Sequence, residues 1–274
     1  MDGPLQVVLD RIIWLEQIYR IDGSLAAIPS KPDLLQAPSC RTTVVNDSKE
    51  ALMASDTRNP DSDEPRRSIE PVWLHWARQL QSLAQTGLTF ATDPYDSERY
   101  QEAHALALDM LAAIGKVETA TVAALFENEA GYATPKVDVR GAVFRDNRIL
   151  LVREVTDGKW ALPGGWADVN LSPSENIEKE IVEESGYLAK VSKLAAVYDR
   201  LKHPHEPPHP FHIYKMFFIC DLIGGSAQAS IETSEVGFFE ETGLPELSRG
   251  RVLESQIHRM FEHWRDPTLP TDFD

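Results

Sequence analysis

Cysteine, positive charge and long apolar runs are all scarce in this chain. Its 274 residues hold 2 cysteines. Cys40 lies in a polar, proline-rich stretch and Cys220 in an apolar run. That usage excludes a disulfide framework and fits a reducing compartment. Lys and Arg number 27 against 43 Asp and Glu, a formal charge of −16. Such a surface repels nucleic-acid backbones and anionic lipid, so neither nucleic acid nor membrane is expected as the main partner. No uninterrupted apolar span reaches the ~18–20 residues that a bilayer requires. The start, with Asp2 and no basic segment before an apolar stretch, does not read as a signal peptide. A cytoplasmic protein is expected, long enough for one medium domain with an appendage or two small ones.

What is present falls into three segments. Within residues 1–70, Leu5, Val8, Leu9, Ile12, Leu15 and Tyr19 form a helical stripe. Residues 22–70 then scatter Pro29, Pro32, Pro38, Pro60 and Pro65 among Ser, Asp and Asn, and the extension is read as mostly disordered. Residues 71–132 predict three amphipathic helices. The first presents Trp73, Trp76, Leu80 and Leu83 on one face and stops at Gly87; the second is capped by Asp93 and ends near Gly115; the third closes at Gly131. Such a module suits packing or dimerisation, making a homodimer the candidate assembly. Over residues 136–266 the period changes. "VDVRGAVF", a turn at Asp146-Asn147 and "RILLVREV" predict a hairpin. Further strands follow, and a last helix carries Leu253, Ile257, Met260, Phe261 and Trp264 on one face. Strands and helices mix without regular βαβ alternation, which points to an α+β layered fold.

Chemistry concentrates in residues 165–187. Asp168, Glu175, Glu178, Glu180, Glu183 and Glu184 share that stretch with one cation, Lys179. Ser172-Pro173-Ser174-Glu175 is a helix start with a capping box, and Gly186 is the stop. Ile177 and Ile181 lie four apart and bury against a sheet. Glu180 and Glu184 lie four apart on another face, with Glu183 beside them. Like charges at that spacing cost about 0.2–0.5 kcal/mol per pair unless something neutralises them. Oxygen ligands so placed suit a hard cation, Mg²⁺ or Mn²⁺, which completes its shell with water and phosphate oxygens. Gly164-Gly165, just before the helix, lets backbone approach a bound group. A phosphate-bearing small molecule is the substrate this arrangement asks for; a solvated acidic face is the plainer reading.

The run Gly165-x5-Leu171-x7-Lys179-Glu180-Ile181-x-Glu183-Glu184-x-Gly186-Tyr187 resembles the Nudix box. The usual box has glutamate where Leu171 stands and arginine where Lys179 stands. The resemblance implies an α/β/α sandwich that hydrolyses a nucleoside diphosphate linked to another group. It also implies Glu180 and Glu184 as metal ligands, helped by the backbone of Gly165. Glu183 becomes a third ligand or the water-activating base, and Lys179 orients the glutamates. The helical module, with "WADVNLSPSE" and "KHPHEPPHPFHIYK", is similar to Nudix hydrolases of the X-linked type, among them bacterial CDP-choline pyrophosphatases. That implies CDP-choline cleavage to CMP and phosphocholine, with ADP-ribose or a nucleotide sugar as the alternative. The two departures keep open a nucleotide sensor without turnover.

Secondary candidates remain. His203 and His205, with His209 and His212, form either a lip contacting substrate or a solvated connector, while zinc is disfavoured by the prolines and the lack of cysteine. Glu232 and Glu235 precede a strand, where a late acidic residue adds a ligand or base, or is merely solvated. Trp166 stacks on a base or packs in the sandwich. Arg140, opposite in direction to Val139, reaches a phosphate or sits on a solvent face.

Overall fold

The computed structural model describes residues 71–274. The helical stripe and the extension read in residues 1–70 lie outside the described residues. Three helices come first: α1 Val72–Phe90, α2 Pro94–Gly115 and α3 Thr119–Phe126. Asp93 caps α2 as expected, its side chain accepting the N–H groups of Tyr95 and Asp96, with Pro94 in the first turn.

The first helix departs from its sequence reading in two ways. It runs through Gly87 to Phe90, and it buries a different face. Leu74, Ala77, Gln81 and Ala84 point inward, whereas Trp73, Trp76 and Leu83 are 46%, 57% and 61% exposed. The reason is close packing. A Cβ on Gly87 would lie 2.3 Å from the Tyr100 ring, so glycine here admits α2 and does not end the helix. Leucines and alanines fill the seam between the helices, and the module's core is Leu74, Ala77, Leu108, Leu111, Ala112, Val122, Leu125 and Phe126.

Seven strands follow: β1 Lys136–Arg145, β2 Arg148–Glu154, β3 Trp160–Ala161, β4 Tyr187–Asp199, β5 Ile213–Gly225, β6 Thr233–Glu240 and β7 Asp272–Phe273. Their order is β3-β2-β1-β5-β4-β7, with β6 on β2. The predicted hairpin is β1–β2, and its turn residues Asp146 and Asn147 take φ of 51° and 58°, as a tight hairpin turn demands. β1 also pairs parallel with β5, so the sheet is mixed. Two further helices flank it, α4 Pro173–Ser185 and α5 Glu254–Arg265.

Alternation sorts the sheet's residues into two cores. Leu150, Phe218 and Cys220 join Ile177 and Ile181 of α4. Ile149, Leu151, Phe217 and Ile219 join Ile257, Met260 and Phe261 of α5. The expected α/β/α sandwich is therefore the observed architecture. Among the described residues no helix is long and apolar enough to cross a membrane.

Candidate active site

Two backbone devices set α4 against β1. The first is the capping box: Ser172 Oγ accepts from Glu175 N while Glu175 Oε2 accepts from Ser172 N at 2.8 Å. At the other end Gly186 is left-handed and its N–H closes on Val182 O. The second is the loop before the helix, which runs along β1. Val139 N donates to Gly165 O, Gly141 N to Pro163 O and Ala167 N to Val137 O. Gly164 sits at φ +135°, and a Cβ there would lie 2.0 Å from Val139 O. Only glycine fits that approach.

Glu184 is 5% exposed and accepts the Gly164 N–H at 2.8 Å. Burial pushes its carboxyl up to about 8, against the opposing pull of Arg140 and of that N–H. Glu180 is raised in the same direction by burial, with Glu183 and Glu232 adding repulsion and Lys179 and Arg140 opposing. Its Oε2 lies 3.7 Å from where a Cβ on Gly165 would stand, which places the Glu180 carboxylate beside the glycine loop. The Gly165 carbonyl, already accepting from Val139, keeps a second lone pair. Lys179 Nζ reaches Glu183 Oε2 at 2.7 Å, Asp168 at 3.3 Å and Glu180 at 3.8 Å. Those carboxylates, the Glu183 hydrogen bond foremost, hold its ammonium well above the usual lysine range.

The residues fit a hard divalent cation. Two carboxylates that burial drives toward protonation gain most from a positive charge, and all their donor atoms are oxygen. Among the described residues no three His, Cys, Asp or Glu side chains form a ready cage. The pair thus offers part of a shell, the mode in which Mg²⁺ keeps places for water and phosphate.

Each of the other expected residues is set by neighbours of its own. Arg140 is on no solvent face: it is 4% exposed, grips Asp138 through two nitrogens at 3.0 and 2.8 Å, and donates to Leu162 O. Buried beside Asp138, it has no alternative but to pair. His203 and His205 are both engaged within the chain. His203 bonds Asp274 at 3.1 Å, and buried His205 is held between Arg249 O and the Gln256 amide. Burial pushes His205 down to about 2, so it stays neutral. Glu235 pairs with Arg153 at 2.6 Å across β6 and β2, whereas Glu232 acts electrostatically on Glu180. Trp166 is 42% exposed, and the histidine near it is His209, with ring centroids 6.0 Å apart.

Residues 134–261 match the NUDIX domain family, and residues 71–126 match a family described as a UDP-X-like, N-terminal oligomerisation domain. The Bacillus subtilis protein YjhB, provisionally named an ADP-ribose pyrophosphatase, is 46% identical over 206 residues, 75% of this chain and 99% of its own length. The chain belongs to the Nudix family. It is a pyrophosphate-hydrolysing enzyme. An ADP-ribose pyrophosphatase of Methanocaldococcus jannaschii is 36% identical over 43% of this Nudix chain and 69% of its own. A solved UDP-X diphosphatase shares 34% identity over 74% of this chain and 98% of its own, with a TM-score of 0.48.

Sequence reasoning missed three features of this Nudix site. Glu154, at the end of β2, is 5% exposed, pairs with Arg251 at 3.0 Å and adds to the negative field at Glu184. Asp138 and Lys215, on adjacent strands, bond at 2.6 Å and are both buried. They lie 77 residues apart, so no local pattern could join them. The one available signal was a lysine inside the apolar run of β5.

Proposed function

We propose that this Nudix enzyme cleaves the pyrophosphate of a nucleoside diphosphate joined to a second group, with ADP-ribose as the preferred substrate. The observation that carries the reading is the pair of half-buried Glu180 and buried Glu184 beside the glycine loop. Through the divalent cation it would hold, the pair would engage a diphosphate and leave the attached groups to be chosen elsewhere. The name borne by YjhB supports ADP-ribose. At the glycine loop the exposed indole of Trp166 also suits stacking on a planar base better than enclosing a choline ammonium, which takes several rings. CDP-choline and UDP-linked sugars share the diphosphate and are the competing substrates.

Glu180 and Glu184, with the Gly165 carbonyl, would hold Mg²⁺ or Mn²⁺, which when bound neutralises phosphate oxygens and acidifies water. The Gly164 N–H fixes Glu184 Oε2, and Arg140, locked by Asp138, favours the ionised form of that carboxylate. Lys179 holds Glu183 through Oε2, leaving the carboxylate at the exposed edge to take the proton of the attacking water. Water oxygen bonds to one phosphorus, the bridging P–O bond breaks, and the leaving phosphate carries off the electron pair. ADP-ribose then yields AMP and ribose 5-phosphate. The helical module is assigned to pairing two copies.

The test is nucleoside monophosphate release with Mg²⁺ or Mn²⁺ from ADP-ribose, CDP-choline and UDP-glucose, beside Glu184→Gln. AMP release that is fastest among the three and lost in the variant is expected. Fastest CMP release would replace the substrate; an undiminished variant would remove Glu184 from the site.

A further inference from the structure

We infer that Thr233 is a positioning residue of the glutamate centre: its hydroxyl fixes the main chain of Glu184 and so sets how tightly the pair takes a divalent cation. The inference deepens the proposed function and rests on Glu180 and Glu184 as the groups that hold the cation. A helix leaves its last four carbonyls without partners inside the helix. Just where α4 ends, the segment joining β5 to β6 supplies donors to three successive carbonyls. Thr233 Oγ1 donates to the main-chain oxygen of Glu184 at 2.6 Å, Gln228 N to that of Ser185 at 2.9 Å and Ser226 N to that of Gly186 at 3.3 Å. Gln228 and Ser226 donate from the main chain, as any residue but proline can. Thr233 donates from its side chain, so this bond depends on the residue's identity.

Counting protons fixes the direction of each bond. A carbonyl only accepts, so the Thr233 proton goes to Glu184. Ser230 Oγ lies 3.0 Å from Thr233 Oγ1 and must give its own proton there. It accepts in turn from the N–H groups of Glu232 and Thr233, at 3.1 Å each. Each hydroxyl has one proton, and both are committed. Thr233 is 0% exposed, whereas Ile231, Glu232 and Ser234 around it are exposed, so it anchors a turn that otherwise faces outward. Glu184 is thereby fastened at two points, Oε2 by the Gly164 N–H and the main-chain oxygen by Thr233. The same anchor steadies Glu232, whose carbonyl accepts from Val155 N at 2.9 Å and whose charge bears on Glu180. Losing a group that holds a metal-binding side chain in place weakens metal binding ~10–100-fold. Thr233 acts through the main chain, one step further back, which sets the expectation at the low end.

Calorimetric titration of Mn²⁺ into the metal-free full chain tests this, with far-UV circular dichroism to check that each variant is folded. Thr233→Val keeps the shape and removes the hydroxyl; Thr233→Ser returns it. Thr271→Val is the control, because it removes a hydroxyl-to-carbonyl bond of the same kind, to Leu194 O at 2.8 Å. Thr233→Val should bind Mn²⁺ about 10-fold more weakly, with Thr233→Ser and Thr271→Val within about 2-fold of wild type. Wild-type affinity in Thr233→Val would overturn the inference. So would an equal loss in Thr271→Val, which would reduce the effect to general loosening, or a failure of Thr233→Ser to restore binding. Should Thr233→Val not fold, Ser230→Ala takes its place, since it withdraws the proton given to Thr233 Oγ1. About 3-fold weakening is then expected, and none would overturn the inference. Glu184→Gln runs alongside. Undiminished Mn²⁺ binding in that variant would remove the glutamate centre and the proposed function's reading with it. Weakened binding there beside an unchanged Thr233→Val would sink the role of Thr233 alone.

Discussion

Glu184→Gln should make the metal-free protein more stable than wild type at alkaline pH, although it removes a residue of the proposed centre. A glutamate in the unfolded chain ionises near 4.5, while burial in the fold pushes Glu184 up to about 8. Below pH 4.5 both states hold the proton, and the folded form keeps its full advantage. Between 4.5 and 8 the unfolded chain gives the proton up readily and the folded chain does not, so stability drains as pH rises. Above 8 that contribution is gone. At ~1.36 kcal/mol per pH unit over the interval, about 5 kcal/mol is the ceiling. Glutamine keeps an oxygen for the Gly164 N–H and has no proton to lose. Urea unfolding in EDTA at pH 5 and pH 9 checks the point. Wild type should lose roughly 3–5 kcal/mol more than the variant between the two, and saturating Mg²⁺ should shrink the difference. Parallel pH curves for the two proteins would refute the claim that the fold holds Glu184 at an energetic cost.

Other outcomes follow from single contacts. Gly164→Ala should cost at least about 4 kcal/mol or prevent folding, read by thermal melting, because its Cβ would fall 2.0 Å from Val139 O. Trp166→Ala should raise KM for nucleotide substrates about 10-fold with kcat nearly unchanged, as expected for a lost stacking surface worth ~1–3 kcal/mol. Asp138→Asn should destabilise by roughly 3–5 kcal/mol in urea titrations, since Arg140 and Lys215 would remain buried without their anion. Ser172→Ala should cost about 1 kcal/mol through the lost capping box.

Local chemistry was legible in the sequence, and distant partnerships were not. The Asp146-Asn147 turn, the Ser172 cap and the Gly186 stop each depend on residues a few positions apart, and each stands where expected. Ile177 and Ile181 are both fully buried for the same reason. Trp73 and Trp76 misled because hydrophobic periodicity weighs the largest side chains, while the seam between α1 and α2 admits only modest ones. Arg140 read as a surface or substrate residue because its partners, Asp138 and the Leu162 carbonyl, gain meaning only once the loop lies along β1. The parallel pairing of β1 with β5, which brings Asp138 to Lys215, spans too much chain for any spacing rule.

The loop beside β1 has a consequence for how this protein can change over generations. Three of the hydrogen bonds that fasten it, from Val139, Gly141 and Ala167, join main-chain atoms at both ends. Between and beyond those rivets Trp166 is 42%, Leu171 38% and Val169 88% exposed. Substitutions there can change the exposed side chains of the loop while the main-chain ladder beside β1 stays as it was. On the proposed function, a lineage built on this frame would exchange one nucleotide-linked substrate for another by ordinary point substitution, with the proposed glutamate centre inherited intact.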